Sequence, residues 1–525
     1  MKPGNSLNMR FISVIILLTA AIRTGYPCTS IMVGKNASTD GSVIASHTCD
    51  SYDDRTWVTV VPHRMHEPGA VCEIFDRNLK FTASAFELSK AKKLGEIPQV
   101  SQTWRYFNTA YPCMNEHQLA IGESTFGGRN ELRSEKGLLD CYELVRLMLE
   151  RATTAREAIK LLDELTAKYG YRDSGECLTI ADKKEVWHLE ILGSGKNCVG
   201  AVWAARRIPD DHIGVVANGS RIRQLDLDDS DMFTASKNVF SLAEEMRWWT
   251  PQSGKPFEFC YAYSPESRRS MASRRREWRV FSLLAPSRNF DPNAENFPFS
   301  IKPDSLVYAR KIMAIFRDTY EGTDFDMTRQ ILVTDKEGKA VKSPYANPFM
   351  PYDMMPLFNI NGGWGAKGER CIARWYCTYV TVTQSRDWLP DPIGGLVWLG
   401  YDNPAMTAYA PLYCGILDVP DSYKICGRPK FNRECAWWAF NRVADLAQQR
   451  WGDMRFDVDS VRIGIEKAAF ANQNESENQA LALYKSQPDS AAKFLTQAVN
   501  EFCNHIVDEY WKLGDHLWSK YTGKF

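Results

Sequence analysis

The chain has 525 residues, and its 64 basic and 64 acidic side chains cancel to a formal net charge of zero. That length supports a large buried core, and the even balance gives no support for nucleic acid or an anionic membrane as the main partner. Sixteen Trp and 22 Tyr point to an aromatic-rich core.

In chain order, Lys2 and Arg10 come first, around the start of the apolar run "FISVIILLTAAI". The run is shorter than the roughly 20 residues a bilayer-spanning helix needs. A charged start, a short apolar stretch and the small residues Ala20 and Ala21 have the layout of an export signal. The expected compartment is therefore secreted or periplasmic, with cleavage near Ala21 and a short propeptide removed afterwards. On this reading residues 1–27 are signal and propeptide, and 28–525 are the working domain. Tyr26 and Pro27 occupy positions where a lipidated cysteine would need small residues. No later segment resembles a transmembrane helix, so no membrane association is expected after cleavage.

After Cys28, "TSIMVG" and "SVIASHT" read as two strands joined at Asp40-Gly41, a good hairpin signal. "VTVVPH", "CEIFD" and "MNEHQLAIGEST" extend the strand-rich start. "LLDCYELVRLMLERA" and "TAREAIKLLDELTAKYG" then read as helices. The second has Thr154 and Glu157 at capping-box spacing, Ile159, Leu162 and Leu165 on one stripe, and Gly170 as its stop. "CLTIADKKEVWHLEIL" predicts a hairpin turning at Asp182-Lys183-Lys184, and "VWAARRI" and "HIGVVAN" continue in strands. Strands, paired helices and then strands again predict an α+β layered fold rather than alternating βαβ units. Residues 250–305, rich in Pro, Ser and Arg, read as an insertion or a long surface excursion. Strands return over 370–425, and 434–452 and 490–520 read as amphipathic helices within a helical C-terminal region of about 434–520.

Cys28 carries the chemistry. A free thiol titrates near 8.5 and an α-amine at about 7.7–8.0. A cysteine at a processed N-terminus therefore holds a nucleophile and a general base in one residue. The competing reading is a buried or disulfide-bonded cysteine that merely follows a signal. With Cys28 set aside, thirteen of the fourteen cysteines remain, an odd number that cannot all pair within the chain. No CxxC occurs, which argues against a zinc ribbon or a thioredoxin site. "HRMHE" at His63–Glu67 lacks the order of a helical metal motif and lies between prolines, so no metal is expected there. "SRRSMASRRREWR" reads as solvated surface. Neither GxSxG nor a P-loop appears.

Several blocks together resemble the N-terminal-nucleophile (Ntn) dipeptidases, the dipeptidase A-like peptidases to which the secernins are related. They are "CTSIMVGKNASTDGSVIASHTCDS", "MNEHQLAIGEST", "TAREAIKLLDEL", "LTIADKKEVWHLEIL", "ARRIPDDHIGVVANGSRI", "YEGTDFDMT" and "TQSRDWLPDPIGGLVWLGYDNPAMTAYAPLYCGI". The resemblance implies a four-layer αββα Ntn-hydrolase fold with insertions, a cysteine at the mature N-terminus, and hydrolysis of dipeptides or short peptides without metal or organic cofactor. Cys28 matches the family nucleophile. Asp50, in "HTCDS", matches an acidic residue near it, and the bland reading is a turn cap. His47 stands where many relatives have arginine, so its part, contact with substrate or with the thiolate, is open. Asn218 in "ANGSRI" matches an asparagine able to donate to an oxyanion, and Asn115 in "MNEH" is a second donor candidate. Both also suit turns. Two rival functions stand beside this one: an amidohydrolase of N-acyl substrates such as penicillin V or bile salts, and a non-catalytic exported binding protein. The sequence leaves a homo-oligomer open.

Overall fold

The computed structural model describes residues 28–52, 54–76, 91–349, 370–428 and 430–524, so the predicted signal and propeptide lie outside the described residues. Within these, the chain is mixed α/β, with antiparallel sheets and eleven α-helices.

The opening hairpin forms where Asp40-Gly41 predicts it. Strands β1 (Thr29–Val33) and β2 (Val43–Asp50) pair with Thr29 opposite Thr48 and Val33 opposite Ile44. Gly41 takes φ +81°, and Asp40 Oδ1 accepts the Ser42 N–H at 3.1 Å, the chemistry that lets two strands reverse tightly. Strand β3 (Ala120–Gly127) precedes helices α1 (Cys141–Arg151) and α2 (Ala155–Tyr169). Thr154 caps α2 by accepting the Glu157 N–H, and Gly170 ends it at φ +72°, as the capping pattern requires. Strands β4 (Gly175–Ala181) and β5 (Val186–Gly193) turn where predicted, with Asp182 Oδ1 accepting the Lys184 and Glu185 N–H groups. Strands β6 (Ala201–Ile208), β7 (Ile213–Val216) and β8 (Phe233–Ala235) follow.

Helix α3 (Met271–Leu284) corrects the reading of 250–305 as a surface excursion. Within it, Arg275, Arg276 and Glu277 are buried. The basic run goes inside because it meets acceptors there. Arg268 and Arg221 hold Glu277 at 3.0 and 3.2 Å, Arg275 stacks on Phe325, and Arg276 bonds backbone carbonyls. Buried charge is tolerated when it is paired and hydrogen-bonded, and composition alone does not show the partners.

Strand β9 (Ser300–Ile301), helix α4 (Ala309–Phe316) and strands β10 (Cys377–Ser385), β11 (Leu396–Tyr401) and β12 (Ala410–Tyr413) come next. The chain ends in α5 (Ala436–Gln449), α6 (Trp451–Ser486) and α7 (Pro488–Tyr521). The central part of α6 lies inside the region read as helical, between the two amphipathic helices named there. Its buried residues are sparse, among them Trp451, Met454, Val458 and Ile465, so the apolar stripe is too thin to stand out against a polar background.

One sheet has seven strands in the order β9-β7-β1-β2-β10-β11-β12, and a second has five in the order β8-β6-β5-β4-β3. Strands β1 and β2 pack on β3 of the second sheet, while α1 packs on β3 and α2 on β4. Helix α3 lies on β7, and α4 on β10 and β2. The sheets approach closely at Gly122, where an added Cβ would stand 2.9 Å from His47 Cβ and 2.7 Å from Thr179 Oγ1. That contact sets the spacing at which groups on β1, β2 and β3 meet.

Candidate active site

Cys28 immediately precedes β1, in the middle of the seven-stranded sheet, and is fully buried. Its Sγ donates to Glu123 Oε1 at 3.3 Å across the gap between the sheets. Burial first, and then the charges of Glu123 and Asp50, push the thiol up to about 12, against hydrogen bonds from Cys49 and the Asp50 backbone. Cys49 lies on β2 beside Cys28, and its own thiol is raised well above the ordinary range by burial. Only about one thiol in 10⁵ with such a value is ionised at pH 7. A reaction at this sulfur therefore needs a base close by to take the proton as attack occurs.

Arg276, on α3, ties the site together. Its Nη1 donates to Cys28 O at 2.6 Å and Thr29 Oγ1 at 2.8 Å, and its Nη2 to Ala217 O at 3.1 Å and Asn218 Oδ1 at 2.9 Å. Burial and the nearby Arg370 bring its guanidinium down to about 9, so it still carries its charge at neutral pH. Asn218 takes a left-handed φ of 55°. Its Nδ2 donates to Thr125 O at 2.8 Å, and its backbone N–H donates to Ser124 Oγ at 3.0 Å. Ser124 Oγ in turn donates to Cys28 O at 3.5 Å.

The turn that carries Asn218 is held from below by Glu190 on β5. One carboxylate oxygen accepts the Ile222 N–H at 3.0 Å, the Arg221 N–H and His188 Nε2, and the other accepts the Ser220 hydroxyl. A carboxylate aimed at successive backbone N–H groups fixes their direction as a cap fixes a helix end.

The remaining candidates divide. Asp50, at the end of β2, is buried and accepts from Arg370 Nη1 at 2.9 Å. Although burial opposes it, Asp50 raises the Arg370 guanidinium and keeps it charged. His47 is buried with its Nε2 3.6 Å from Glu123 Oε1 and 3.4 Å from Tyr379 Oη, and its ring meets Tyr379 and Tyr111 edge-on. Cys28, His47, Asp50 and Asn218 are thus brought together. Asn115 is not placed with them. Its two amide hydrogens go to Leu149 O and Ala152 O, each at 2.8 Å, and its Oδ1 accepts the His117 and Leu119 N–H groups. It locks a turn onto the end of α1 and has no donor left for substrate, which corrects its reading as an oxyanion or substrate group.

Sequence reasoning missed Glu123 and Arg276. A carboxylate inside the apolar strand "AIGEST" is a signal for the first, because a buried charge needs a partner. For the second, the basic run offers none.

The two histidines of "HRMHE" make ordinary side-chain hydrogen bonds. His63 bonds Glu116 at 2.9 Å and His66 bonds Thr103 at 2.9 Å. Cys28 and Cys49 are both thiols and form no disulfide.

The family model for peptidase family C69 matches residues 27–463, beginning one residue before the buried thiol. The chain belongs to peptidase family C69. It is therefore a peptidase, and its similarity to individual members of the family runs nearly end to end. It is 23% identical over 511 residues to a "Probable dipeptidase" of Latilactobacillus sakei, covering 92% of this chain and 95% of that one. It is likewise 23% identical over 499 residues to a "Probable dipeptidase B" of Streptococcus pyogenes serotype M1, covering 91% of each. A "Probable dipeptidase" of Salmonella dublin is 26% identical over 410 residues, 74% of this chain and 81% of the relative. The C69 match spans both sheets and every residue of the Cys28 cluster.

Proposed function

We propose that this C69 peptidase is an exported dipeptidase whose nucleophile is Cys28, made N-terminal by removal of residues 1–27. The observation that carries the proposal is the Cys28 thiol itself. It is buried at the head of a central strand and held at about 12, yet the carbonyl of the same residue and the Asn218 side chain are fixed by one guanidinium. Such a thiol needs a base close by, and the α-amine that cleavage would free on the same residue, titrating at about 7.7–8.0, is the base this reading assigns.

The chemistry follows in order. The α-amine takes the thiol proton as sulfur bonds to the peptide carbonyl carbon. The carbonyl π electrons move to oxygen, where an N–H group and the Asn218 amide stabilise the oxyanion. Collapse breaks the C–N bond, the α-ammonium returns its proton to the departing amine, and a thioester remains. Water, deprotonated by the same amine, then releases the acid and restores the thiol. Asp50 and His47 flank the sulfur and are suited to hold the ammonium of a short substrate. The two facing sheets with helices on each support a four-layer αββα arrangement of the Ntn type.

Intact-mass and N-terminal analysis of protein recovered from its native compartment tests the reading, together with assays of wild type and Cys28→Ala on dipeptides and on N-acyl amines. A chain starting at Cys28, active on dipeptides and inactive as Cys28→Ala, supports it. An active chain that retains Tyr26-Pro27 sinks it, and preference for N-acyl amines moves the substrate class to the amidohydrolases.

A further inference from the structure

Three groups that bind soft divalent metals meet between the sheets, with the Cys28 thiol beside them. The ligand atoms of His47, Cys49 and Glu123 lie within 4.8 Å of one another, and Cys28 Sγ stands against both Glu123 Oε1 and Cys49. The distances can be compared with a tetrahedral ion. With Zn–S near 2.3 Å and Zn–N and Zn–O near 2.0 Å, a tetrahedron has a sulfur–oxygen edge of about 3.5 Å and a nitrogen–oxygen edge of about 3.3 Å. The corresponding separations are 3.3 Å for Cys28 Sγ to Glu123 Oε1 and 3.6 Å for His47 Nε2 to Glu123 Oε1. These two separations match coordination edges; Cys28 Sγ, which is outside the group of three mutually close ligand atoms, turns toward the ion from its contact with Glu123 to complete the shell.

A second cluster makes a useful contrast. Cys177, His188 and Glu190 also lie within 4.8 Å. There, however, Glu190 is occupied by Ser220, Arg221, Ile222 and His188, so a metal would have to displace the bonds that shape the Asn218 turn. Around Glu123 Oε1 the neighbours are a thiol and an imidazole, groups that are themselves zinc ligands.

We propose that Cys28, Cys49, His47 and Glu123 form a binding site for a thiophilic divalent cation, zinc by its donor set, and that the ion silences the enzyme by capturing Cys28. Two sulfurs, one nitrogen and one oxygen complete a four-coordinate shell, and closed shells of this kind hold zinc without leaving a position for water. Each thiol gives its proton to solvent on binding. The ion is thus an inhibitor and not a catalyst. The inhibitory consequence rests on Cys28 being the nucleophile; the metal site does not.

Cobalt(II) titration of the purified protein tests the site directly. The expected result is near-ultraviolet thiolate-to-cobalt charge transfer with the intense visible bands of a tetrahedral ion, saturating at one ion per chain and displaced by zinc. Cys49→Ala and the near-isosteric Cys49→Ser should lose the band, and their zinc sensitivity is read relative to each variant's own uninhibited rate. They should need more than roughly 100-fold higher zinc for half-inhibition, beyond the loss caused by removing an outer-shell partner. His47→Gln should weaken the cobalt band. Absence of the band in wild type, or unchanged zinc sensitivity in both Cys49 variants, overturns the proposal. A wild type that binds cobalt but cleaves no dipeptide leaves the site standing and removes the peptidase mechanism. A wild type that cleaves dipeptides without binding cobalt does the reverse.

Discussion

Replacing Arg276 with lysine tests how the site is held. The guanidinium spans two pairs of acceptors, Cys28 O with Thr29 Oγ1 and Ala217 O with Asn218 Oδ1, at 2.6–3.1 Å. A lysine ammonium is a compact point of charge and can serve one pair but not both. At least two hydrogen bonds to a charged group are lost, each worth about 1.5–3 kcal/mol. Because the lysine satisfies what it can reach, the net loss of folding stability should be about 2–4 kcal/mol, read from urea unfolding. The effect on turnover is separate. If Asn218 drifts from the oxyanion, the loss should approach that of one oxyanion donor, about 2.7–4 kcal/mol or 10²–10³ in kcat. KM should stay within about threefold, since the contact strengthens in the transition state rather than the ground state. Steady-state release of free amino acid from a dipeptide measures both constants. A variant that is destabilised but keeps wild-type kcat would show that Arg276 only braces the fold. A rise in KM at constant kcat would make it a substrate ligand instead.

Cys28 in a chain that retains residue 27, with its thiol at about 12, should alkylate with iodoacetamide roughly 10³-fold more slowly than the exposed Cys198. Peptide mass mapping reads the ratio, and equal labelling would contradict the burial argument. Glu176 is held well above the usual carboxyl range by burial and by the charge of Glu123. The folded state therefore favours its protonated form, and the stability this confers is present below the unfolded value near 4.3 and lost as pH rises toward the folded value. Glu176→Gln should accordingly gain on wild type above about pH 4.5, by up to about 1.4 kcal/mol per pH unit until the folded group titrates. A gap in urea stability that does not widen with pH would refute this. Glu190→Ala should cost roughly 2–5 kcal/mol, because it leaves the buried Arg221 and Ile222 N–H groups without an acceptor. Glu190→Gln, which keeps an oxygen toward those groups, should cost less than half as much, and equal losses would argue against the clamp.

What could be read from the sequence was mostly local. The Asp40-Gly41 turn, the Thr154 cap and the Asp182 hairpin depend on residues a few positions apart, and all three form. Cys28 stands out by its place behind the export signal, and His47 and Asp50 through the block that resembles the Ntn dipeptidases. Groups brought in from afar do not stand out. Glu123 meets Cys28 across 95 positions and Arg276 meets it across 248, so no spacing rule connects them. The run around Arg276 misled for a physical reason, since its charges are matched by Glu277 and by carbonyls that only the fold assembles. Asn115 misled in the opposite direction: its amide looked available, but the backbone of α1 takes both hydrogens.

Strand β1 has a hydrogen-bonded neighbour on either side, with Ser30 opposite both His47 and Val216. Chain ends ordinarily fray, because nothing beyond the last residue restrains them. A terminus created ahead of Cys28 would instead emerge already sewn between two paired strands. Severing the chain there would free an amine without loosening the scaffold on which its aim depends.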